Sequence, residues 1–572
     1  MILTKLKEFA ETQMSLPPVM YGVDFIKWLI NIDENGNLIG FTPVGDSKKG
    51  LSMMTPKVPP VGNGIKPRLL VETGERVFGI PKGIPKPSDP KRVRIYHQGF
   101  KDIIERCADS TKNESVQAVS KFLQKWNPES DFIKLPSDLK LTDIVTFQCN
   151  GIIPADARAQ LTEVEQFWGD NALLSSQKSE SEQSLEMTCL VTGNLATVSQ
   201  RMPVPIKGLK GNHAEYSLVA ANLPPFYSYG LKNSLTSPIS RDAAEKFAKA
   251  LNHLIDSKNS KLTIGTTTYV AWTREPSNFN AFMYLDKPEP QAVVNLLGSA
   301  NSAKQTYGVD SNQYYVLALT ANSSRVVVRD WLEMTIPEVQ ANLRTWFTAQ
   351  KIVDSYGEDG RPLGVYALAA SAYRDPGKEM LPIVTTALTR VALYGGKIPL
   401  DLLARLVRRN RVEQDVTYTR AALIKLILTT QNPQFVILPM EKLNSDPKQS
   451  LQEPAYHCGR LLAELEATQR AALGKINASL TDRYYGAASS NPASAFPPLM
   501  RGARAHLSKL RKEQSGTYNA LEERIEEITA YLTEFPKTLT LQDQGLFALG
   551  YYHQRAANRA AAKAASAFKG NQ

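Results

Sequence analysis

The first chemistry the sequence offers is the gripping of phosphates. Lys66, Arg68, Arg76, Lys82, Lys86, Lys91, Arg92 and Arg94 alternate with apolar or turn residues. Several of them can therefore face one run of phosphate groups while the residues between anchor the chain. From Asp46 to Lys101 there are twelve Lys or Arg against four Asp or Glu, a local surplus of +8 within a chain whose formal charge is +11. Three more cationic clusters have helical spacing. Arg501, Arg504, Lys509, Arg511 and Lys512 fan across one side of a helix whose other side carries Leu499, Ala503, Leu507 and Leu510. Arg555, Arg559 and Lys563 recur every four residues, and Arg405, Arg408, Arg409 and Arg411 make the last cluster. Each cluster has two open readings: a track for a polyanion, or a solvated face paired with acidic residues such as Glu522, Glu523, Glu526 and Glu527. Tyr551 and Tyr552 precede one cluster and can stack on bases, although aromatics at that spacing more often fill a core.

Bond-making chemistry is harder to find. The six histidines never stand two to five residues apart, and the four cysteines (Cys107, Cys149, Cys189 and Cys458) form no CxxC pair. No phosphate-binding GxxxxGK[ST] loop, HExxH or GxSxG motif is present. The remaining route to catalysis is a set of carboxylates such as Asp143, Asp156 and Asp170 that converge only in the fold, as a metal-dependent nuclease would need. The absence of these motifs lowers an enzyme reading without abolishing it, and no cofactor is expected; a metal-dependent nuclease and a free-standing nucleic-acid-binding protein are the alternatives to a scaffolding or recognition role.

The elements that must position these residues follow from pattern. With 572 residues, 42% hydrophobic and 22% charged, the chain is long enough for two to four domains and too apolar for extended disorder. No stretch of about 18 uninterrupted apolar residues is present. Its opening, MILTKLKEFAETQ, carries charges where a signal peptide needs an apolar run. A cytoplasmic protein without a membrane span is expected. The fold class expected is α+β: a mixed α/β N-terminal portion with antiparallel sheets, then an all-α helical bundle. Within residues 21–41, Asn35-Gly36 signals a tight hairpin turn. The Pro- and Gly-rich segment 46–101 reads as basic loops on a β framework, with helix from about Tyr96 to Trp126. Strands are expected at 141–153, 261–272, 314–322 and 324–331, the last three in one sheet. Helices dominate after about Pro337, and Met440 to Glu453 reads as a linker into about four long helices. The expected divisions are a basic α/β region at 1–130, an α/β scaffold at 131–336, a helical connection at 337–435 and a bundle at 440–572.

Ten strings in order resemble the large subunit of type I-C CRISPR-Cas effector complexes, the Cascade-type surveillance machines. They are MILTKLKEF with PPVMYG, GNGIKP (62–67), CLVTG (189–193), PIKGLKG (205–211), SYG (228–230), ALNHLI (250–255), RVVVRDW, YTRAALIK, GRLLAELEATQ and GLFALGYYHQR. The resemblance spans nearly the whole chain. It implies a non-catalytic subunit at the crRNA 5′ end that reads the protospacer-adjacent motif on duplex DNA and helps open the strands, while guide pairing reads the target. It implies as partners the crRNA, double-stranded target DNA and its displaced single strand, the backbone subunits and a helicase-nuclease, with no membrane. By resemblance, motif readout falls to the GNGIKP loop. There Asn63 offers an amide donor and acceptor, Gly62 and Gly64 allow close approach, and Lys66 meets phosphate. Lys207 and Lys210 of PIKGLKG join the backbone contacts. Met202 to Pro205 stand where the family tends to carry a His before this motif, so no role of that His transfers. Members of the family can also make the C-terminal bundle separately, as a small subunit; here Met440 is the candidate start, giving a fragment with 17 Lys or Arg against 13 Asp or Glu.

Overall fold

The computed structural model describes residues 1–14, 18, 20–45, 50–58, 67–83, 87–175, 185–198, 201–221, 223–298, 312–432, 453–475 and 477–570. The fold is α+β. The chain forms two compact units, one of residues 1–205 with 219–250 and one of residues 206–218 with 251–572.

In the first unit, helix α1 (Ile2–Gln13) precedes strand β1 (Tyr21–Ile26). The expected hairpin is β2 (Trp28–Ile32) with β3 (Leu38–Pro43). Its turn is built by Asp33, whose carboxylate accepts from the backbone N–H of Asn35 at 3.0 Å and of Asn37 at 2.7 Å, while Gly36 takes a φ of +75°. Strand β4 (Leu51–Pro56) pairs antiparallel with β1. Strands β5 (Val71–Thr73) and β6 (Ile144–Cys149) complete a sheet of order β3-β2-β6-β5. The β2–β6 pair is parallel and the other two pairs are antiparallel, so this sheet is mixed. Its parallel partners are joined through a long crossover that includes α2 (Gly74–Phe78), α3 (Pro90–Thr111) and α4 (Glu114–Lys125). Ile30, Val71, Phe147, Phe100, Ile104, Val119 and Trp126 form one core between sheet and helices.

Helix α3 begins earlier than the Pro-rich composition implied. Pro90 occupies the first helical position, where a missing N–H costs nothing, and the Asp89 side chain accepts from Lys91 N–H. Val93, His97, Phe100 and Ile104 then recur on the buried side. Lys91, Arg92 and Arg94 therefore sit on a helix, and the expected single helix from 96 to 126 divides at Lys112, which takes a φ of +52°, and the N-capping Asn113.

The second unit starts with a short ribbon of β9 (Ile206–Lys207) and β10 (Glu215–Tyr216); β7 (Leu185–Thr188) and β8 (Leu195–Val198) belong to the first unit. The boundary between units falls inside helix α5 (Arg241–Asp256). As the sequence predicts, β11 (Lys261–Ile264), β12 (Thr267–Thr273), β13 (Gln313–Asn322) and β14 (Arg325–Thr335) form one antiparallel sheet in that order. Strand β14 runs straight into α6 (Ile336–Gln350) through a capping box of Thr335 and Glu338. Helices α7 (Pro382–Tyr394), α8 (Leu400–Glu413), α9 (Tyr418–Gln431), α10 (Pro454–Leu473), α11 (Leu480–Ala488), α12 (Pro492–Glu513), α13 (Ser515–Ala530) and α14 (Leu541–Gly570) follow.

Packing in the second unit is continuous. One core runs from Tyr269, Val316 and Leu332 of the sheet through Leu343, Leu388, Leu406 and Ile424 to Leu461 and Phe547. The physical reason is α14, which packs on α10 and also on α8 and α9. The Tyr552 hydroxyl donates to the Val353 carbonyl at 2.9 Å. The late helices thus share their core with the helices before them. Met440 lies outside the described residues.

Candidate nucleic-acid interface

The loop that the resemblance singles out is seen through its two ends. Gly62, Asn63, Gly64 and Lys66 lie outside the described residues, as does Lys86. Lys57 and Arg68, which flank the loop, converge on one carboxylate. Asp24 on β1 is buried; its oxygens accept from Lys57 Nζ at 2.5 Å, from Thr55 Oγ1 at 2.6 Å and from the Arg68 guanidinium. Arg68 Nε also donates to the Pro56 carbonyl at 3.0 Å. Arg68 is therefore spent on bonds to Asp24 and the Pro56 carbonyl rather than offered as a free cation. Asp24 went unnoticed in the sequence, because a single acidic residue in a strand gives no signal of what will meet it.

Lys91 and Arg92 are exposed on the first turn of α3, and Arg94 at the start of the second. Arg94 comes within 3.5 Å of Glu129, but both side chains are open to solvent and such a pair contributes little. Arg76 is occupied by Glu72 at 3.0 Å and lies over the Tyr96 ring at 4.1 Å. Lys82 is half-buried, its carbonyl accepting from Ser88 N–H at 3.2 Å. Cations on a first turn oppose the helix macrodipole, so an anion brought there relieves both the charge crowding and the open N–H groups.

Helix α12 separates its faces as expected. Leu499, Ala503 and Leu510 are buried, while Arg501, Arg504, Lys509, Arg511 and Lys512 are exposed. Lys509 Nζ donates to the Ala472 carbonyl at 2.9 Å and is 3.9 Å from Glu513. Among the described residues, no carboxylate lies within ion-pair distance of Arg501, Arg504, Arg511 or Lys512. The acidic helix α13 turns two of its charged residues elsewhere: Glu527 meets Arg460 at 3.0 Å and Arg524 meets Glu464 at 3.1 Å.

In the other two clusters most cations have partners, with Arg405 over the Tyr373 ring at 5.4 Å. Arg409 pairs with Glu413, and Arg411 bonds Ser490 and, at 3.0 Å, Gln544; Arg408 remains exposed. On α14, Arg555 pairs with Asp415 at 2.5 Å and lies over the Tyr551 ring, and Lys563 pairs with Glu358 at 2.6 Å. Arg559 Nη1 reaches the Ser355 carbonyl at 3.5 Å. Tyr551, Tyr552 and His553 are core residues, at most 4% exposed, so stacking on bases is not open to them.

Lys207 and Lys210 are held by a loop that only glycine permits. Gly208 has a φ of +74°, and a Cβ there would meet the Ile255 side chain at 2.8 Å. A Cβ on Gly211 would strike the Tyr216 hydroxyl. Lys207 is exposed and pairs with Glu215 at 3.0 Å; Lys210 Nζ donates to the Gly265 carbonyl at 3.0 Å.

A family model described as CRISPR-associated protein (Cas_Csd1) matches residues 3–559. The chain belongs to this family. It is the large-subunit family to which the ten sequence strings pointed, and the match covers nearly the whole chain. No protein of curated function matches the chain. As a Cas_Csd1 protein, the chain is a CRISPR-associated effector subunit and belongs to the defence machinery.

The carboxylates weighed for metal chemistry are placed as follows in this Cas_Csd1 chain. Asp156 caps a short turn and pairs with Arg158 at 2.5 Å, and Asp143 lies 3.9 Å from Lys27. The Asp170 side chain lies outside what the structure describes. Among the described residues, no group of three or more His, Cys, Asp or Glu is arranged to hold a metal ion. No described helix is long and apolar enough to cross a membrane. Cys189, expected as a small apolar core residue, is fully buried, and its sulfur also accepts from Ser240 N–H at 3.2 Å.

Proposed function

We propose that this Cas_Csd1 protein is the non-catalytic large subunit of a crRNA-guided complex, reading the protospacer-adjacent motif on duplex DNA, assisting strand separation and R-loop formation, and supporting recruitment of a helicase-nuclease. The observation that carries the nucleic-acid part is the face of α12, where Arg501, Arg504, Arg511 and Lys512 stand exposed, with no carboxylate partner among the described residues, opposite a buried apolar stripe. Such a face suits a sequence-independent track for the displaced single strand. Duplex contact is assigned to Lys91, Arg92 and Arg94, and motif readout to Asn63, between Lys57 and Arg68 in the chain, which both bond Asp24. The complex works in the cytoplasm with crRNA and backbone subunits, and bond cleavage belongs to the recruited nuclease.

The test is binding of the assembled complex to two targets, a duplex carrying the correct motif and an already exposed single strand. Asn63→Ala weakens the first by about tenfold and leaves the second unchanged, because a lost base contact removes about 1–3 kcal/mol of discrimination. Equal losses on both targets reject motif readout by Asn63. Cleavage of DNA by the isolated chain with Mg²⁺ or Mn²⁺ rejects the non-catalytic assignment.

A further inference from the structure

The second unit contains a cleft of about 570 Å³ whose composition is that of an anion site. Lys210 and His213 reach it from the loop between β9 and β10, Thr266 from the β11–β12 turn, Asn322 from the β13–β14 hairpin, and Arg329 from β14. Among the described residues, no Asp or Glu lines it.

Arg329 is aimed there by an irregularity in the sheet. Ala318 pairs with Asp330 and Leu319 with Val328, which leaves Arg329 as the extra residue of a β-bulge. A bulge bends its strand and redirects a side chain, and bulges recur beside functional sites for that reason. Arg329 Nε donates to Thr320 Oγ1 at 2.8 Å, which fixes the guanidinium plane. Among the described residues, its terminal Nη groups have no acceptor. Lys210 is held beside it by the Gly265 carbonyl and retains two further N–H donors. The loop carrying Lys210 and His213 is set in place by Tyr216, whose buried hydroxyl accepts from His213 N–H at 3.0 Å. Pro382, the first residue of α7, also lines the cleft and brings the positive end of that helix to it.

We infer that this cleft binds the phosphoryl group of a nucleotide, with Arg329 and Lys210 as the phosphate clamp. Size favours a nucleotide over a bare ion: small-molecule sites span roughly 300–1,000 Å³, and inorganic phosphate would leave most of the space to water. The Asn212 and Asn322 amides are placed at the cleft to bond a sugar or base edge. The inference is independent of motif readout and of the α12 track. One chemistry has two sources here, a free mononucleotide or one nucleotide of a bound strand.

The full-length chain is titrated with adenosine 5′-monophosphate, with inorganic phosphate and with a single-stranded oligonucleotide. Arg329→Gln and Lys210→Gln are compared with the unaltered protein and with an Arg501→Gln, Arg504→Gln control. If the site takes free nucleotide, the monophosphate binds more tightly than inorganic phosphate. Both cleft variants then weaken it by about tenfold or more, the scale of a lost charge-assisted contact, while the control does not. If it takes a strand, the monophosphate shows no saturable binding and the oligonucleotide loses that factor in both cleft variants. Unchanged oligonucleotide and monophosphate binding in Lys210→Gln, whose exposed side chain can be replaced without disturbing the core, overturns the inference even if Arg329→Gln proves unstable.

Discussion

Helices α12 and α14 carry comparable rows of cations at helical spacing, yet the fold treats them in opposite ways. On α12, Arg501, Arg504 and Arg511 meet solvent. On α14, Arg555 and Lys563 meet Asp415 and Glu358, residues supplied by distant segments of the chain. The difference lies in position within the core. Helix α14 packs on α10 and on α8 and α9, so neighbours lie around much of its circumference, and carboxylates from connecting segments, Asp415 between α8 and α9 and Glu358 after α6, reach its charges. Helix α12 packs on α10, α11 and α13 through a narrow stripe of Leu499, Ala503 and Leu510, which leaves a broad side bare. Periodicity identifies which residues share a face; only packing decides what covers it.

The largest expected effect comes from the closest helix crossing. A Cβ added at Gly459 on α10 would run into the Phe547 carbonyl of α14, and one at Gly550 into the Tyr456 carbonyl. Backbone cannot yield as a side-chain end can, so Gly459→Ala is expected to lower unfolding free energy by about 3 kcal/mol in urea titration. Gly502 on α12 has open space where its Cβ would stand. There the same change is expected to raise stability by up to about 1 kcal/mol, since alanine is the better helix former. Similar losses at both glycines would dissolve the contrast between a central and a peripheral helix.

Acid provides the next test of the central helix. Burial, reinforced by Lys425 and Arg460, pushes the His553 imidazole down to about 3, and its Nδ1 lies 2.8 Å from the Tyr456 hydroxyl. The unfolded chain takes up a proton near pH 6.5 that the folded chain refuses. Stability is therefore complete above about pH 6.5 and falls on acidification, by up to about 1.4 kcal/mol per pH unit until the folded value is passed. His553→Gln should flatten this part of the profile in urea titrations between pH 7 and pH 4; an unchanged slope would show that the imidazole accepts its proton within the fold.

How much of this was legible depended on whether the cause was local. The β11–β14 sheet was readable because its strands are β-branched or aromatic runs bounded by turns, and the 33–37 turn because Asn35-Gly36 can take positive φ. The sides of α12 were readable from 100° spacing alone. The start of α3 was hidden by prolines and glycines whose loop signal outweighed the cap at Asp89. The Asp24 clasp, the Arg329 bulge and the neutralisation of Arg555 all join residues far apart in sequence, and no local pattern encodes such meetings. Of the candidate site residues, the face of α12 could be foreseen. The commitment of Arg68 and Arg409 to ion pairs could not.

Salt sharpens the same comparison from the side of function. Each phosphate contact contributes about 0.7–0.9 to the slope of log affinity against log salt. Replacing Arg501, Arg504 and Arg511 together by Gln is therefore expected to reduce the slope for single-strand binding by about 2, with affinity falling about tenfold or more at low salt. Unfolding free energy should stay within about 0.5 kcal/mol, as for exposed side chains without partners. An unaltered slope would return the three arginines to a solvated face.

The smallest effect belongs to Lys563, and it is the most discriminating. Its pair with Glu358 is exposed on both sides, so Lys563→Gln should cost less than about 1 kcal/mol. If the pair holds Lys563 away from nucleic acid, the salt slope is unchanged. A loss of about 0.8 would mean that phosphate displaces Glu358, since an exposed carboxylate competes only weakly with a polyanion. Glu358→Gln then separates the possibilities further: releasing the lysine should raise single-strand affinity at low salt if α14 borders the track, and leave it unaltered if α12 alone forms it.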